Sequence, residues 1–144
     1  MTSALHTLLG LTRLLRFVNL SNKDLPNSNY AFFNLKKVRM NNSTLDGSNL
    51  RRSDFRQANF EGSSLKNVDF SGGNLRGANF HHSKLNNAYF NDADLREVDF
   101  TGADLSGVSF LRADLRGARF EKTIINETVF TDAVGVPKRF ELIV

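Results

Sequence analysis

The chain has 144 residues, of which 40% are hydrophobic and 24% charged, a size and composition typical of one folded domain. It contains no cysteine, which excludes a disulfide framework, thiol catalysis and cysteine-ligated zinc. No segment approaches the roughly 18 consecutive apolar residues of a membrane-spanning helix, so no membrane span is predicted. The net charge is +4, and aromatic usage is uneven, with 13 Phe and no Trp.

Residues 1–17 predict an amphipathic α-helix. Ser3 is a suitable N-cap, and leucines recur at helical spacing along one face of the segment. Those leucines are Leu5, Leu8, Leu11 and Leu15. The alternative interpretation is an organellar presequence, because the segment contains Arg13 and Arg16 and no acidic residue precedes Asp24.

The following residues carry an internal repeat with a period of five. Every fifth residue from Leu20 to Phe130 is apolar, in 23 of 23 positions. A small residue usually stands two positions before this apolar centre, and seven of the ten glycines stand two positions after it. Because five matches neither the helical nor the strand period, we expect a short extended piece followed by a corner that needs positive φ.

A second period shows how many pentapeptides close one turn. A basic residue follows the apolar centre at intervals of 20, whereas steps of ten or fifteen residues do not reproduce the pattern. These basic residues are Lys36, Arg56, Arg76, Arg96 and Arg116. Four pentapeptides per turn predict a four-sided all-β solenoid, and residues 18–132 hold 23 pentapeptides, or about 5–6 coils.

The aromatic residues support this coil length. From Leu65 onward the centres alternate between Phe and an aliphatic residue, so a four-sided coil stacks Phe on Phe, whereas a three-sided coil would stack Leu on Phe. We therefore expect two columns of rings at the inter-strand spacing of about 4.8 Å. One column holds Phe70, Phe90, Phe110 and Phe130, and the other holds Phe80, Phe100 and Phe120.

These motifs resemble the pentapeptide-repeat family, whose pattern is a small residue, then Asp or Asn, then Leu or Phe. Ala-Asn-Phe occurs at residues 58–60 and 78–80, and Ala-Asp-Leu at residues 93–95, 103–105 and 113–115. The resemblance implies a right-handed four-sided (quadrilateral) β-helix. Bulkier residues occupy the small position in the first part of the repeat, at Lys23, Phe33 and Val38, so irregular first coils are expected.

The two ends of such a solenoid expose strand edges that need covering. We expect residues 1–17 to cap the first coil of the β-helix at 18–132, and residues 133–144 to form a C-terminal cap or tail. Pro137 breaks the repeat, and an apolar tail ending in Val144 follows. This tail either covers its own last coil or pairs with a second copy of the chain, and the resemblance implies the latter because family members dimerise through their C-terminal ends.

The sequence contains no combination of residues that predicts catalytic activity. Nucleophilic catalysis needs a nucleophile, a base and an orienting group held together, and the serines, threonines and aspartates have no partner base. His81 and His82 fall on the outer surface, where the 20-residue period puts His81 between Glu61 and Thr101. Such a convex position encloses no metal site. We predict no catalytic residue, no cofactor and no metal.

The basic column is the candidate partner-binding face. It comprises Lys36, Arg56, Arg76, Arg96 and Arg116, thickened at its N-terminal end by Arg51 and Arg52. The alternative is a self-neutralised ladder, because Asp54, Asp94 and Asp114 stand two residues before an arginine. Residues 1–60 carry a net charge of +6 and residues 61–144 a net charge of −2, so an anionic partner would meet the N-terminal half first.

The sequence leaves three classes of function open. The first is a rigid protein–protein interaction scaffold with a partner of acidic surface. The second is the DNA-mimicking modulation of DNA gyrase or another type II topoisomerase that the resemblance implies, which the basic charge disfavours. The third is binding of nucleic acid or an anionic surface, disfavoured because outward positions hold few aromatics. The composition suits the cytosol.

Overall fold

The structure is a computed structural model of the chain, and it describes residues 15–140. Most of the predicted N-terminal capping helix, 1–17, lies outside the described residues, as do the last four residues of the chain. The solenoid pattern is already present at the first described residues. Leu15 N–H donates to the Asn34 carbonyl (2.9 Å) and Phe17 N–H to the Lys36 carbonyl (3.2 Å), so hydrogen bonding between coils begins three residues before the predicted boundary.

Each pentapeptide contributes one residue to a parallel β-bridge, and its partner is always 20 residues away. The bridges run without interruption from Asn19 with Arg39 to Asp114 with Val134. Four bridging residues fall within each interval of 20, so one turn of the chain has four short walls. The predicted all-β solenoid and its 20-residue, four-sided turn are confirmed.

We number the four walls in chain order. Walls 1 to 4 contain the apolar centres Leu20, Leu25, Tyr30 and Leu35, and a residue 20 positions further along belongs to the same wall. The two residues after each centre form a corner that leads to the next wall. A corner is therefore named by the two walls that it joins.

The corners show why glycine recurs at one phase. The carbonyl of most centres accepts the N–H three residues later, as Leu35 does from Val38 at 3.0 Å. The second corner residue has positive φ, for example +66° at Gly62, as predicted from the glycine spacing. Most other residues at this position are polar, and Asn is frequent because its short side chain tolerates the left-handed region.

The interior is filled by the apolar centres and the small residues two positions before them. The expected irregularity of the first coils is wrong, because the bridges keep their register there. Val38 is fully buried, and the half-buried Phe33 meets Tyr30 edge to face with centroids 6.0 Å apart. Lys23 is exposed. Backbone hydrogen bonds between coils therefore tolerate larger residues at these positions.

The two predicted Phe columns are present. Phe70 and Phe90 stack with centroids 4.9 Å apart and rings 4° from parallel. Phe80 meets Phe90 edge to face, at 5.7 Å and 90°, so the columns also contact each other. Phe60 extends the second column at its start, stacking on Phe80 at 4.9 Å.

The C-terminal end departs from the repeat after Val134. A 3₁₀-helix spans Lys138–Phe140 and carries Phe140 over the last coil, where this side chain is buried. Arg139 Nη2 donates to the Phe120 carbonyl at 2.7 Å and holds the helix in place. Phe140 thus covers its own last coil, while the remainder of the predicted apolar tail lies outside the described residues. Within residues 15–140, no helix is long and apolar enough to cross a membrane.

Candidate interaction surface

The five predicted column residues lie on one corner, between walls 4 and 1, in successive coils. The backbone connects each to the next coil, since Lys37 N–H donates to the Arg56 carbonyl and Gln57 N–H to the Arg76 carbonyl, both at 3.0 Å. Arg16 occupies the same corner one coil before Lys36. Arg16 was not predicted as a member of the column because the helical leucine pattern includes this residue, although its spacing of 20 from Lys36 was a sufficient signal.

Three of the column arginines are held by the aspartate two positions before them. Arg56 makes two parallel hydrogen bonds to Asp54, from Nε to Oδ1 at 2.8 Å and from Nη2 to Oδ2 at 2.5 Å. Arg96 with Asp94 and Arg116 with Asp114 repeat this geometry. Hydrogen bonds from the guanidinium groups hold the pKa values of all three carboxyl groups below the ordinary aspartate value. This part of the column is the predicted ladder of ion pairs.

The other two predicted members differ because Asn replaces Asp in their pentapeptides. Arg76 reaches into the next coil, where Nη2 lies 2.7 Å from Glu97 Oε1. Lys36 follows Asn34 and makes no ion pair within residues 15–140. A shallow groove of about 240 Å³ runs beside these residues and Arg56. The uncompensated positive charge of the column therefore lies at its N-terminal end.

Arg51 and Arg52 lie on a different corner from the column. They occupy the corner between walls 3 and 4, so they border wall 4 from the side opposite Arg56. Arg51 Nε lies 3.6 Å from Asp69 Oδ2, and Arg52 makes no ion pair within the part of the chain that the structure describes. The predicted face thus comprises both edges of one wall.

Two exposed aromatic residues at the N-terminal end of wall 4 were not predicted. Phe17 lies on the corner between walls 4 and 1, and Phe32 on the corner between walls 3 and 4. The Arg52 guanidinium carbon lies 5.9 Å from the Phe32 ring centroid, and Lys37 Nζ lies 5.7 Å from that of Phe17. The sequence marks both residues by their position in the five-residue repeat, because the second residue of all the other corners is glycine or a polar residue.

The histidines lie on the corner between walls 1 and 2. The rings of His81 and His82 stack with centroids 4.2 Å apart. Glu61 and Thr101 were expected on either side of His81. The Thr101 hydroxyl donates a hydrogen bond to Glu121 Oε2 at 3.1 Å. Among residues 15–140, no three His, Asp or Glu side chains are grouped to hold a metal ion.

Several solved structures that match the chain are pentapeptide-repeat proteins. Rfr23 of the cyanobacterium Cyanothece 51142 is 23% identical, with 90% of this chain and 99% of that chain covered and a TM-score of 0.43. A pentapeptide-repeat protein of the Arabidopsis thaliana thylakoid lumen is 28% identical, with coverages of 81% and 63% and a TM-score of 0.36. QnrB1, a plasmid-mediated fluoroquinolone resistance protein, is 16% identical over 84% of each chain, with a TM-score of 0.47.

Sequence comparison gives one further match. No curated protein matches the chain, but the family model described as "Pentapeptide repeat region" matches residues 51–120. The five-residue pattern and the 20-residue bridges continue on both sides of the matched segment. The chain therefore belongs to the pentapeptide-repeat family.

Proposed function

We propose that the protein is a non-enzymatic scaffold that binds another protein through the walls of its solenoid. The observation that carries this proposal is the row of basic side chains along one corner of wall 4. Backbone hydrogen bonds space these side chains by one coil, about 4.8 Å. A surface of this kind presents charges at fixed positions. The scaffold would therefore lose little conformational freedom when it binds a partner with an acidic surface.

The ion pairs of the column support a binding role as well as a structural one. A guanidinium has five N–H donors, and Arg56 uses only Nε and one Nη2 hydrogen in its two bonds to Asp54. The remaining donors point away from this pair and are available to a second carboxylate. Asp54 therefore orients Arg56 for a partner, and Asp94 and Asp114 do the same for their arginines.

DNA mimicry is a weaker proposal for this chain. A mimic must present rows of uncompensated negative charge that resemble phosphates. On wall 4 the stacked carboxylates of Asp54, Asp94 and Asp114 each lie within 2.6 Å of an arginine nitrogen, so this row presents little net negative charge. A supercoiling assay with DNA gyrase at high protein excess tests this role, and inhibition or protection of gyrase would favour mimicry over the scaffold.

The scaffold proposal is tested by affinity capture from a lysate of the source organism. The variant replaces the five predicted column residues, Lys36, Arg56, Arg76, Arg96 and Arg116, by Gln. The control replaces five basic residues elsewhere by Gln, namely Lys66, Lys84, Arg119, Lys122 and Lys138. We expect acidic proteins captured by the native chain and the control to be lost with the column variant. An unchanged set of captured proteins contradicts the proposal.

We also propose that two copies associate through their C-terminal ends. Ile124, Val129 and Val134 stand on three walls of the last coil, at positions that are polar in most earlier coils, and all three are about half exposed. Sedimentation equilibrium tests this proposal with a Val129→Lys variant. A native chain that is monomeric at high concentration contradicts it.

Several finer features remain proposals of the same kind. They are the right-handed sense of the solenoid, the count of 5–6 coils, the helical cap predicted over residues 1–17, now without residues 15–17, which belong to the solenoid, and the cytosolic location. The family resemblance supports the handedness, and the length of the repeat supports the coil count. A crystal structure of the full chain tests the first three, and localisation of a tagged chain tests the fourth.

A further inference from the structure

Phe17 and Phe32 occupy a backbone position that disfavours them. Their φ values are +63° and +65°, in the left-handed region where a bulky side chain is a conformational outlier. The other residues at this corner position, from Asn22 to Asp132, are glycine, Asn, Asp, His82 or long polar residues. Phe17 is 62% exposed and Phe32 is 53% exposed, so neither gains much burial in exchange. This combination indicates a role outside the core.

Each of the two rings has a cation from the next coil beside it. Lys37 stands over Phe17 and Arg52 over Phe32, in the same relation of 20 residues. Arg16 adds a second cation over Phe17, at 5.4 Å from the ring centroid. The same arrangement, an exposed phenylalanine ring with a cation 20 residues later beside it, therefore occurs once at each edge of wall 4.

The charge of this surface is largely uncompensated. Within residues 15–140, Arg16, Lys37 and Arg52 make no ion pair, and Arg51 reaches its single carboxylate at 3.6 Å. The column arginines in the later coils are paired, as described above. We call Phe17, Phe32, Arg16, Lys37, Arg51 and Arg52 together the basic–aromatic surface.

The shape of the surface distinguishes between anionic partners. The depression beside Phe32, lined by Ala31, Asn49, Arg51 and Arg52, is shallow and open, with a volume of about 270 Å³. Apolar anchors of a protein partner are bound best in enclosed pockets. Flat exposed rings next to cations instead match planar bases and the phosphates between them, which is how single-stranded nucleic acid is bound without sequence preference.

We propose that the basic–aromatic surface binds single-stranded nucleic acid, with bases stacked on Phe17 and Phe32 and phosphates paired with the four cations. This proposal does not depend on the protein scaffold, whose predicted column continues along later coils. It also explains why two strained corners carry phenylalanine. Outward aromatics are few in the sequence, which disfavoured nucleic acid, but the structure places each of these two rings beside a cation that makes no ion pair within residues 15–140.

The test is fluorescence anisotropy of a fluorescein-labelled oligodeoxythymidine of 15 nucleotides, titrated with the full chain over a series of KCl concentrations. Four phosphate contacts predict a slope of about −3 in the plot of log K against log salt. Phe17→Asn and Phe32→Asn are each expected to weaken binding by about 5- to 150-fold. Because Asn accepts positive φ, the thermal midpoint of both variants is expected to be retained or raised.

The cations are tested by a second pair of variants. Replacing Arg16, Lys37, Arg51 and Arg52 by Gln is expected to abolish measurable binding at moderate salt. The control, with Lys66, Lys84, Lys122 and Lys138 replaced by Gln, has the same net charge and is expected to bind less than threefold more weakly than the native chain.

Four outcomes would overturn the proposal. They are an absence of binding at low salt, unchanged binding by the two Asn variants, a large loss of thermal stability in those variants, and equal weakening by both Gln variants. Tighter binding of poly-L-glutamate than of the oligonucleotide would assign the surface to an acidic protein, and the nucleic-acid proposal would then be wrong.

Discussion

Phe140 lies nearly flat on the ring of Phe130, with centroids 5.8 Å apart and the two planes 15° from parallel. In the regular coils a phenylalanine stacks on the residue 20 positions earlier and meets the one 10 positions earlier edge to face. Phe140 reverses both relations, since it meets Phe120 edge to face at 89°. The 3₁₀-helix thus moves this ring from its own column across the end of the neighbouring column, where it shields Phe130 from water.

Removing a ring from the middle of a column should destabilise the whole solenoid. Phe90 is fully buried and contacts four rings, two in its own column and two in the other. Phe90→Ala is expected to lower the free energy of unfolding by about 3–5 kcal/mol, measured by urea denaturation. Arg76→Ala is the surface control and should cost little. Similar losses from both substitutions would contradict the assignment of inside and outside.

Removing the terminal ring should affect one end of the molecule. Phe140→Ala exposes the last members of both columns, so we expect faster amide hydrogen exchange in residues 115–134 than in the middle coils. The global loss should be smaller than for Phe90→Ala, because a terminal coil can fray. Lys138→Ala, in the same 3₁₀-helix, is the control. Uniform acceleration along the chain would show that Phe140 does not act as a local cover.

The ion-pair ladder should make stability depend on pH in the acid range. The carboxyl groups of Asp54, Asp94 and Asp114 have folded-state pKa values below their ordinary value, because the neighbouring arginines donate hydrogen bonds to them. Their contribution is therefore fully present above the unfolded pKa of about 3.9 and is lost as the pH falls below it. Thermal melts of the native chain should show a lower midpoint at acid pH.

Replacing these three aspartates by Asn should reduce that loss. The variant is expected to be less stable than the native chain near neutral pH and to approach it at acid pH. Asp24→Asn, on wall 2, is the single-site control. An equally steep acid dependence in the triple variant would show that other carboxyl groups are responsible.

Two corner glycines allow the stability cost of backbone conformation to be measured separately from the cost of a steric overlap. Gly77 and Gly107 have φ values of +68° and +70°, but a Cβ at Gly107 would overlap the Asn87 side chain, whereas one at Gly77 would come no closer than 3.7 Å to Gln57. Gly77→Ala should cost about 1–2 kcal/mol, the penalty of the left-handed region. Gly107→Ala should cost more, and Asn87→Ala should remove the difference in a double-mutant cycle. Equal costs would argue against the overlap.

The repeat made most contacts within the solenoid predictable from the sequence. In a solenoid each coil contacts its neighbours, so one period describes nearly every long-range contact. The stacking of Phe70 on Phe90 and the positive φ of Gly62 both followed from the phase of the pattern. Predictions were weaker at the N-terminal end. There a helical leucine pattern includes Leu15 and overlaps the first solenoid residues, and the bulkier inner residue Val38 wrongly suggested irregular coils.

The candidate surface was only half predictable. The spacing of 20 aligned Lys36 with Arg56 and the later arginines, but Arg51 and Arg52 proved to border the wall from its other edge. The roles of Phe17 and Phe32 also needed the structure, because exposure and nearby cations are not visible in a list of residues. The pairing of Arg76 with Glu97 crosses to the next coil, whereas the other column arginines pair within their own pentapeptide or, for Arg96, also approach Asp114.

The amino-acid order alone determined the four-sided coil, its interior and the alignment of its surface columns, because hydrogen bonds between residues 20 apart convert sequence spacing directly into spatial neighbours. Only the tertiary structure decided which cations are neutralised and how Phe140 closes the end. Those outcomes depend on the directions of long side chains and on a short helix outside the repeat, for which no periodic rule exists.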